Sequence, residues 1–208
     1  MEREKLLEFK HISKSFPGVK ALEDINIDLY PGEVHILVGE NGAGKSTLMK
    51  VLSGAYTATS GELFFEGKLI EKNSPHISEA LGISMIYQEL NLVPELSVAA
   101  NIFLGHEIRK GIFVDTRAQE KRANELLREI GIQVDSKTLV KNLGVGTQQM
   151  VEIAKALSQN AKVIVFDEPT SSLTDSEIQE LFGIIRLLKE RNVGMFYISH
   201  RLEELFKI

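Results

Sequence analysis

The amino-acid sequence predicts an α/β fold, and three observations carry that prediction. Apolar residues alternate with polar ones from Leu7 to Val38, a glycine-rich turn then joins a strand to an apolar helix, and a continuous apolar run later precedes an acidic pair.

Leu7, Phe9 and Ile12, then Ile25, Ile27 and Leu29, then Val34, Ile36 and Val38 mark three strands, separated by turn signals at Pro17-Gly18 and Pro31-Gly32. Gly39 to Gly44 forms the turn, and Leu48, Met49, Val51 and Leu52 the helix, which stops near Gly54. Leu63 to Phe65 and Ser84 to Tyr87 predict further strands, with a helix opening at Ser74-Pro75 between them. From about Ser97 to Gln159 the pattern turns helical. Thr116 and Gln119 resemble a capping box ahead of Ala123, Leu126, Leu127 and Ile130, and Met150, Ile153, Ala154 and Leu157 repeat that spacing on a helix beginning near Thr147. Val163 to Phe166 is apolar throughout, as a strand buried on both faces requires. Thr174 and Glu177 form a second capping box, opening a helix that buries Ile178, Leu181, Phe182 and Ile185, and Met195 to Ile198 predicts a last strand.

We read residues 1–208 as one domain, with 1–88 and 160–208 as its core and 89–159 as a helical insert. The sequence stops at Lys207-Ile208 inside a stretch read as helix from Arg201, so a C-terminal truncation is expected. Lys and Arg number 24 against 29 Asp and Glu, and the net charge of −5 gives no electrostatic case for a nucleic-acid partner. No apolar run reaches the roughly 18 residues of a bilayer span, nor does a signal-peptide core follow Met1 to Lys5. With no cysteine, the chemistry falls to Ser, Thr, His, Lys and carboxylates.

Gly39-Glu40-Asn41-Gly42-Ala43-Gly44-Lys45-Ser46 satisfies G-x-x-x-x-G-K-[ST], and Thr47 follows. Glycines let the backbone curl so that successive N–H groups face phosphate oxygens, and the next helix adds the positive end of its dipole. Lys45 supplies a point charge to the β- and γ-phosphates, and Ser46 offers a hydroxyl to Mg²⁺. The second motif follows the buried run: Asp167 stands at the strand's carboxyl end, where open α/β sheets bind ligands, and suits the metal. Glu168, one residue on, is the candidate base for an attacking water. Together they predict a P-loop fold that hydrolyses nucleoside triphosphates.

With these motifs in place the chain resembles the ATP-binding subunit of an ABC transporter over essentially its whole length. The resemblance implies an ABC ATPase fold with an antiparallel β subdomain, and ATP and Mg²⁺ as ligands. It places Phe16 against adenine, Gln88 in a loop that reaches Mg²⁺ and touches a membrane partner, and His200 beside the γ-phosphate and attacking water. Leu143, Gly144, Val145 and Gly146, with Thr147, Gln148 and Gln149, occupy the place of the family's signature, which binds the γ-phosphate held by a second ATPase domain. Ser171 to Thr174 resembles the loop that communicates across that interface. His11, His35, His76 and His106 have no such context and are expected on the surface or in ordinary packing.

Val145, the run from Gln148 to Leu157 and Phe16-Pro17-Gly18-Val19-Lys20-Ala21-Leu22 resemble the branch that imports monosaccharides such as ribose and galactose. That implies the N-terminal of two fused ATPase halves at the cytoplasmic face of the membrane. Its implied partners are the second half or another copy, permease subunits and, indirectly, a sugar-binding protein outside the membrane. Gly144 in place of Ser removes a hydroxyl donor, and Thr147 replaces Gln, which costs the facing site a charge-assisted hydrogen bond of about 1.5–3 kcal/mol. An ATP-binding module with little hydrolysis of its own is therefore the alternative reading.

Overall fold

The computed structural model describes residues 3–40, 42–204, 207 and 208, with the Leu202 side chain excepted. In chain order the elements are β1 (Leu7–Phe16), β2 (Val19–Leu29), β3 (Val34–Val38), α1 (Lys45–Leu52), β4 (Ser60–Phe65), β5 (Lys68–Leu69), α2 (Pro75–Ala80) and β6 (Ile83–Ile86). Then come α3 (Val98–Ile102), β7 (Arg109–Lys110), β8 (Phe113–Val114), α4 (Thr116–Glu129), α5 (Val145–Ser158), β9 (Val163–Asp167), α6 (Asp175–Glu190) and β10 (Gly194–Ser199). The chain divides into two compact units: Met1–Met85 with Ala161–Glu168 and Leu188–Ile208, and Ile86–Asn160 with Pro169–Leu187.

The first unit holds two sheets. One is antiparallel in the order β2-β1-β4-β5; the other runs β3-β10-β9-β6, with β10 parallel to both β3 and β9. A glycine makes the β1–β4 pairing possible: at Gly61, φ is +95°, and a Cβ there would strike the His11 and Ile12 backbone. Alternation on β1 sends Leu7 and Phe9 inward, and an irregularity at His11, with φ of +53°, turns Ile12 to the same side, into a core shared with Met49 and Leu52 of α1, Val163 and Val165 of β9, and Phe196 and Ile198 of β10. Burial of each such large side chain contributes about 1.5–3 kcal/mol. The other apolar residues of β9, Ile164 and Phe166, are buried too, so the apolar run is a central strand as its composition predicts.

The second unit is mostly helical. Helices α3, α4 and α5 pack on one another through buried residues that include Val98, Ile102, Leu126, Leu127, Met150 and Ile153. Two boundaries differ from expectation. Asp115 caps α4, its Oδ1 accepting from Ala118 N at 3.0 Å, and Thr116 is the first helical residue, because a carboxylate one position earlier reaches the open N–H. Helix α5 starts at Val145 rather than near Thr147, since Gly144 in extended backbone already serves as its cap. The box at Thr174 forms as read: Thr174 N donates to Glu177 Oε2 at 2.8 Å, while Glu177 N donates to Thr174 Oγ1 at 3.4 Å. After β10 a single 3-10 turn covers Leu202–Glu204, and the rest of the helix read from Arg201 includes residues 205 and 206, outside those described.

Candidate nucleotide site

In the first unit, β3 ends at Val38 and the chain turns through Gly39 to Gly44 into α1. Gly42 and Gly44 take φ of +88° and +90°, which a side chain resists, and Asn41, just before them, lies outside the described residues. Gly44 caps α1 without a side-chain hydrogen bond, so the first-turn N–H groups of Lys45, Ser46 and Thr47 point out of the helix toward the loop. Lys45 folds back over this turn: its Nζ donates to Gly39 O at 2.6 Å and Glu40 O at 2.9 Å, while Ala43 N closes the loop on Glu40 O at 3.2 Å. Ammonium, inward N–H groups and a helix N-terminus together form an anion cradle.

Asp167 closes β9, and Glu168 follows with φ of +49°, a left-handed conformation that takes its side chain out of the strand's register. Glu168 N donates to Ile198 O at 3.1 Å, so the turn is pinned to β10. Burial, reinforced by the neighbouring Glu168, pushes the Asp167 carboxyl above its ordinary range, while Lys50 and Lys45 pull it down. His200 lies one residue beyond β10, its Nδ1 3.4 Å from Glu168 Oε2. The structure thus joins Lys45 with Asp167 electrostatically and Glu168 with His200 by contact, all in one unit.

Phe16 ends β1 with its ring partly exposed, edge-on to Tyr56 at 5.3 Å and 5.1 Å from Lys14 Nζ. An exposed aromatic held by a second ring and a cation offers a flat face for a base. The other histidines have ordinary neighbours or none of note: His11 meets Asp24 at 2.6 Å, His35 lies tilted beside Phe196 at 5.6 Å, and His106 contacts Ser158 at 2.9 Å, while His76 is exposed.

The remaining residues belong to the second unit. Gln88 is exposed just after β6, and Asn91 N in the same loop donates to Glu152 Oε1 of α5 at 3.0 Å. Leu143 to Gly146 leads into α5; Gly144 and Val145 are exposed and Gly146 is buried. Gln148 Nε2 donates back to Leu143 O at 2.9 Å, fixing the approach to the helix. Glu177 accepts from Thr174 and its carboxylate lies against Gly146, which packs the signature-like turn on the segment before α6.

Sequence reasoning missed three carboxylates. Glu204 is buried and accepts from Tyr197 Oη at 2.9 Å and Ser199 Oγ at 2.7 Å, beneath the turn that carries His200. Glu152 and the Gly146 contact of Glu177 are the others. Glu177 and Glu204 sit in charged segments indistinguishable by pattern from a solvated face, and Glu152, between Val151 and Ile153, has no motif around it.

The donor set suits a hard cation shared with phosphate: Ser46 offers a hydroxyl and Asp167 a carboxylate at the edge of the anion cradle. Among the described residues no group of three or more His, Asp or Glu could hold a metal ion by itself.

The chain is similar to several known proteins. A family described as ABC transporter matches residues 22–171. The chain is 53% identical over 98% of its length to the ribose import ATP-binding protein RbsA 1 of Rubrobacter xylanophilus. It is 50% identical over 99% of its length to the galactose/methyl galactoside import ATP-binding protein MglA of Escherichia coli. It spans only 41% and 40% of those two relatives. Among solved structures, a nucleotide-free ATP-binding cassette from an ABC transporter superposes with a TM-score of 0.86 at 28% identity, covering 97% of this chain and 84% of that one. The ADP conformation of the cassette MJ1267 gives 0.82 at 28% identity, covering 95% and 82%.

Proposed function

The chain belongs to the ABC transporter family, and from that membership we propose that it is an ATP-binding and ATP-hydrolysing domain that energises import of a ribose- or galactose-like monosaccharide. The observation that carries the ATPase reading is the Lys45 cradle at the N-terminus of α1, with the Asp167-Glu168 pair ending a strand of the same unit. The sugar assignment rests on the similarity to RbsA 1 and MglA.

In this reading the N–H groups from Gly42 to Thr47 and the Lys45 ammonium hold the β- and γ-phosphates, and Phe16 stacks on the base. Ser46 and Asp167 hold Mg²⁺, which supplies neutralisation of the charge that develops on the phosphates. Glu168 accepts a proton from the attacking water, and His200, leaning on the Glu168 carboxylate, keeps that water in line. Gln88 lies in the loop proposed to meet the membrane partner, and the α5 N-terminus receives the γ-phosphate of ATP bound to a second ATPase domain. The chain would then work at the cytoplasmic face of the membrane; among the described residues, no helix is long and apolar enough to cross it.

Titration with a fluorescent ATP analogue tests the cradle. The chain should bind it, and Lys45→Ala should weaken binding at least tenfold through loss of about 1.5–3 kcal/mol of charged hydrogen bonding. Equal affinity in the two proteins would remove Lys45, and the reading with it.

A further inference from the structure

Helix α5 begins at Val145 without a side-chain cap, so its first-turn N–H groups and dipole face outward as an anion site. An anion already stands beside that turn. The Glu177 carboxylate lies against Gly146, where a Cβ would run into it, and the Gly146 N–H helps hold that carboxyl below its ordinary range. Glu177 cannot simply swing aside, because Thr174 N and Thr174 Oγ1 each donate to its Oε2 at 2.8 Å. All of these residues lie in the second unit.

We infer that Glu177 is an internal anion competing with the γ-phosphate for the N-terminus of α5, so that it sets how much ATP is needed to close the signature onto nucleotide. This rests on the reading above, in which α5 receives phosphate from ATP held by a second domain. A helix terminus favours negative charge only until that charge is supplied; a second anion then meets a partly neutralised dipole and a like charge nearby. The donors from Thr174 and Gly146 hold the Glu177 carboxyl below its ordinary range, so it is ionised whenever ATP is bound near neutral pH. Gly144, which brings no hydroxyl to the same turn, leaves backbone N–H groups to carry the contact, and the Glu177 carboxylate stands beside one of them, that of Gly146.

The test is ATP-driven association of the full chain, followed by sedimentation in a Glu168→Gln background, with and without Glu177→Gln. The amide keeps an acceptor oxygen for the Thr174 and Gly146 donors but removes the charge. The ATP concentration at half-association should fall about three- to tenfold. ADP affinity, which involves no γ-phosphate, should stay the same. Glu177→Ala, which removes the charge without an amide, should move the midpoint in the same direction. A residue that merely braced the two turns would give the opposite sign, so a midpoint that is unchanged or raised in both variants overturns the inference while leaving the ATPase reading intact. Absence of any ATP-driven association in the parent overturns the reading on which the inference rests, and the inference with it.

Discussion

His200 Nδ1 lies 3.4 Å from Glu168 Oε2, although 32 positions separate the two in sequence. The parallel pairing of β9 with β10 brings them together: Ile198 stands opposite Asp167, so the residues just past each strand emerge side by side. The contact is an ion pair when the imidazole is protonated and a polar contact otherwise. Replacing His200 with Ala should lower kcat for ATP hydrolysis about 100-fold, with ATP affinity changed far less, as loss of a group that acts in the transition state requires. Steady-state kinetics decide it; a rise in KM with kcat unchanged would make His200 a binding residue.

Gly44 is held at φ of +90°, and a Cβ there would lie 2.5 Å from Ala21 O and 3.0 Å from Leu22 Cδ2. Gly44→Ala should therefore cost about 1–2 kcal/mol in stability from the backbone conformation alone, and disrupt nucleotide binding as the loop moves. Gly42→Ala meets open space at its Cβ and should pay only the conformational part. Urea midpoints and nucleotide titrations of the two variants compare them directly.

How much of this was legible in the sequence varies with the range of the cause. Lys45, Asp167 and Glu168 could be read because their chemistry depends on near neighbours: a glycine turn before a helix, and an apolar run before an acid. The burial of β9 could be read for the same reason. The sheet order β3-β10-β9-β6 could not, since it depends on pairing between strands far apart in the chain. Nor could the hairpin of β7 and β8, whose two-residue strands carry no alternation to detect. Glu204 had no signal, because its partners Tyr197 and Ser199 reach it only once β10 turns into the following 3-10 helix.

Glu204 supplies a stability prediction. Truncation to Ala removes the buried carboxylate that accepts from the Tyr197 and Ser199 hydroxyls, at about 1–3 kcal/mol. Because Ser199 Oγ also accepts from Arg201 N at 3.0 Å, the turn bearing His200 should loosen as well. Thermal melting should show a clear loss, and Glu204→Gln should recover part of it.

Burial raises the Glu152 carboxyl above its ordinary 4.5, and Lys155 and the Asn91 N–H offset this only in part. The folded state therefore binds this proton more tightly than the unfolded state does. Its contribution to stability is greatest below the unfolded value, and is lost as pH rises from there through the folded value. Glu152→Gln keeps an oxygen for Asn91 N while removing the charge, so it should gain on the parent as pH climbs from 4.5 to neutrality. Denaturant midpoints at pH 4.5 and 7.5 measure the gain; a difference independent of pH would mean that the carboxylate is already well solvated.

The central claim is that Lys45, Glu168 and His200 form one ATP-hydrolysing site in this chain. Its most direct test is the Mg²⁺-dependent ATPase rate as a function of protein concentration, with Glu168→Gln as the blank. The account predicts a specific activity that rises with concentration, as two copies bring their α5 N-termini to each other's nucleotide, and that exceeds the blank by about 100-fold or more. A rate equal to the blank at every concentration, with ATP still bound, would contradict it and leave an ATP-binding module.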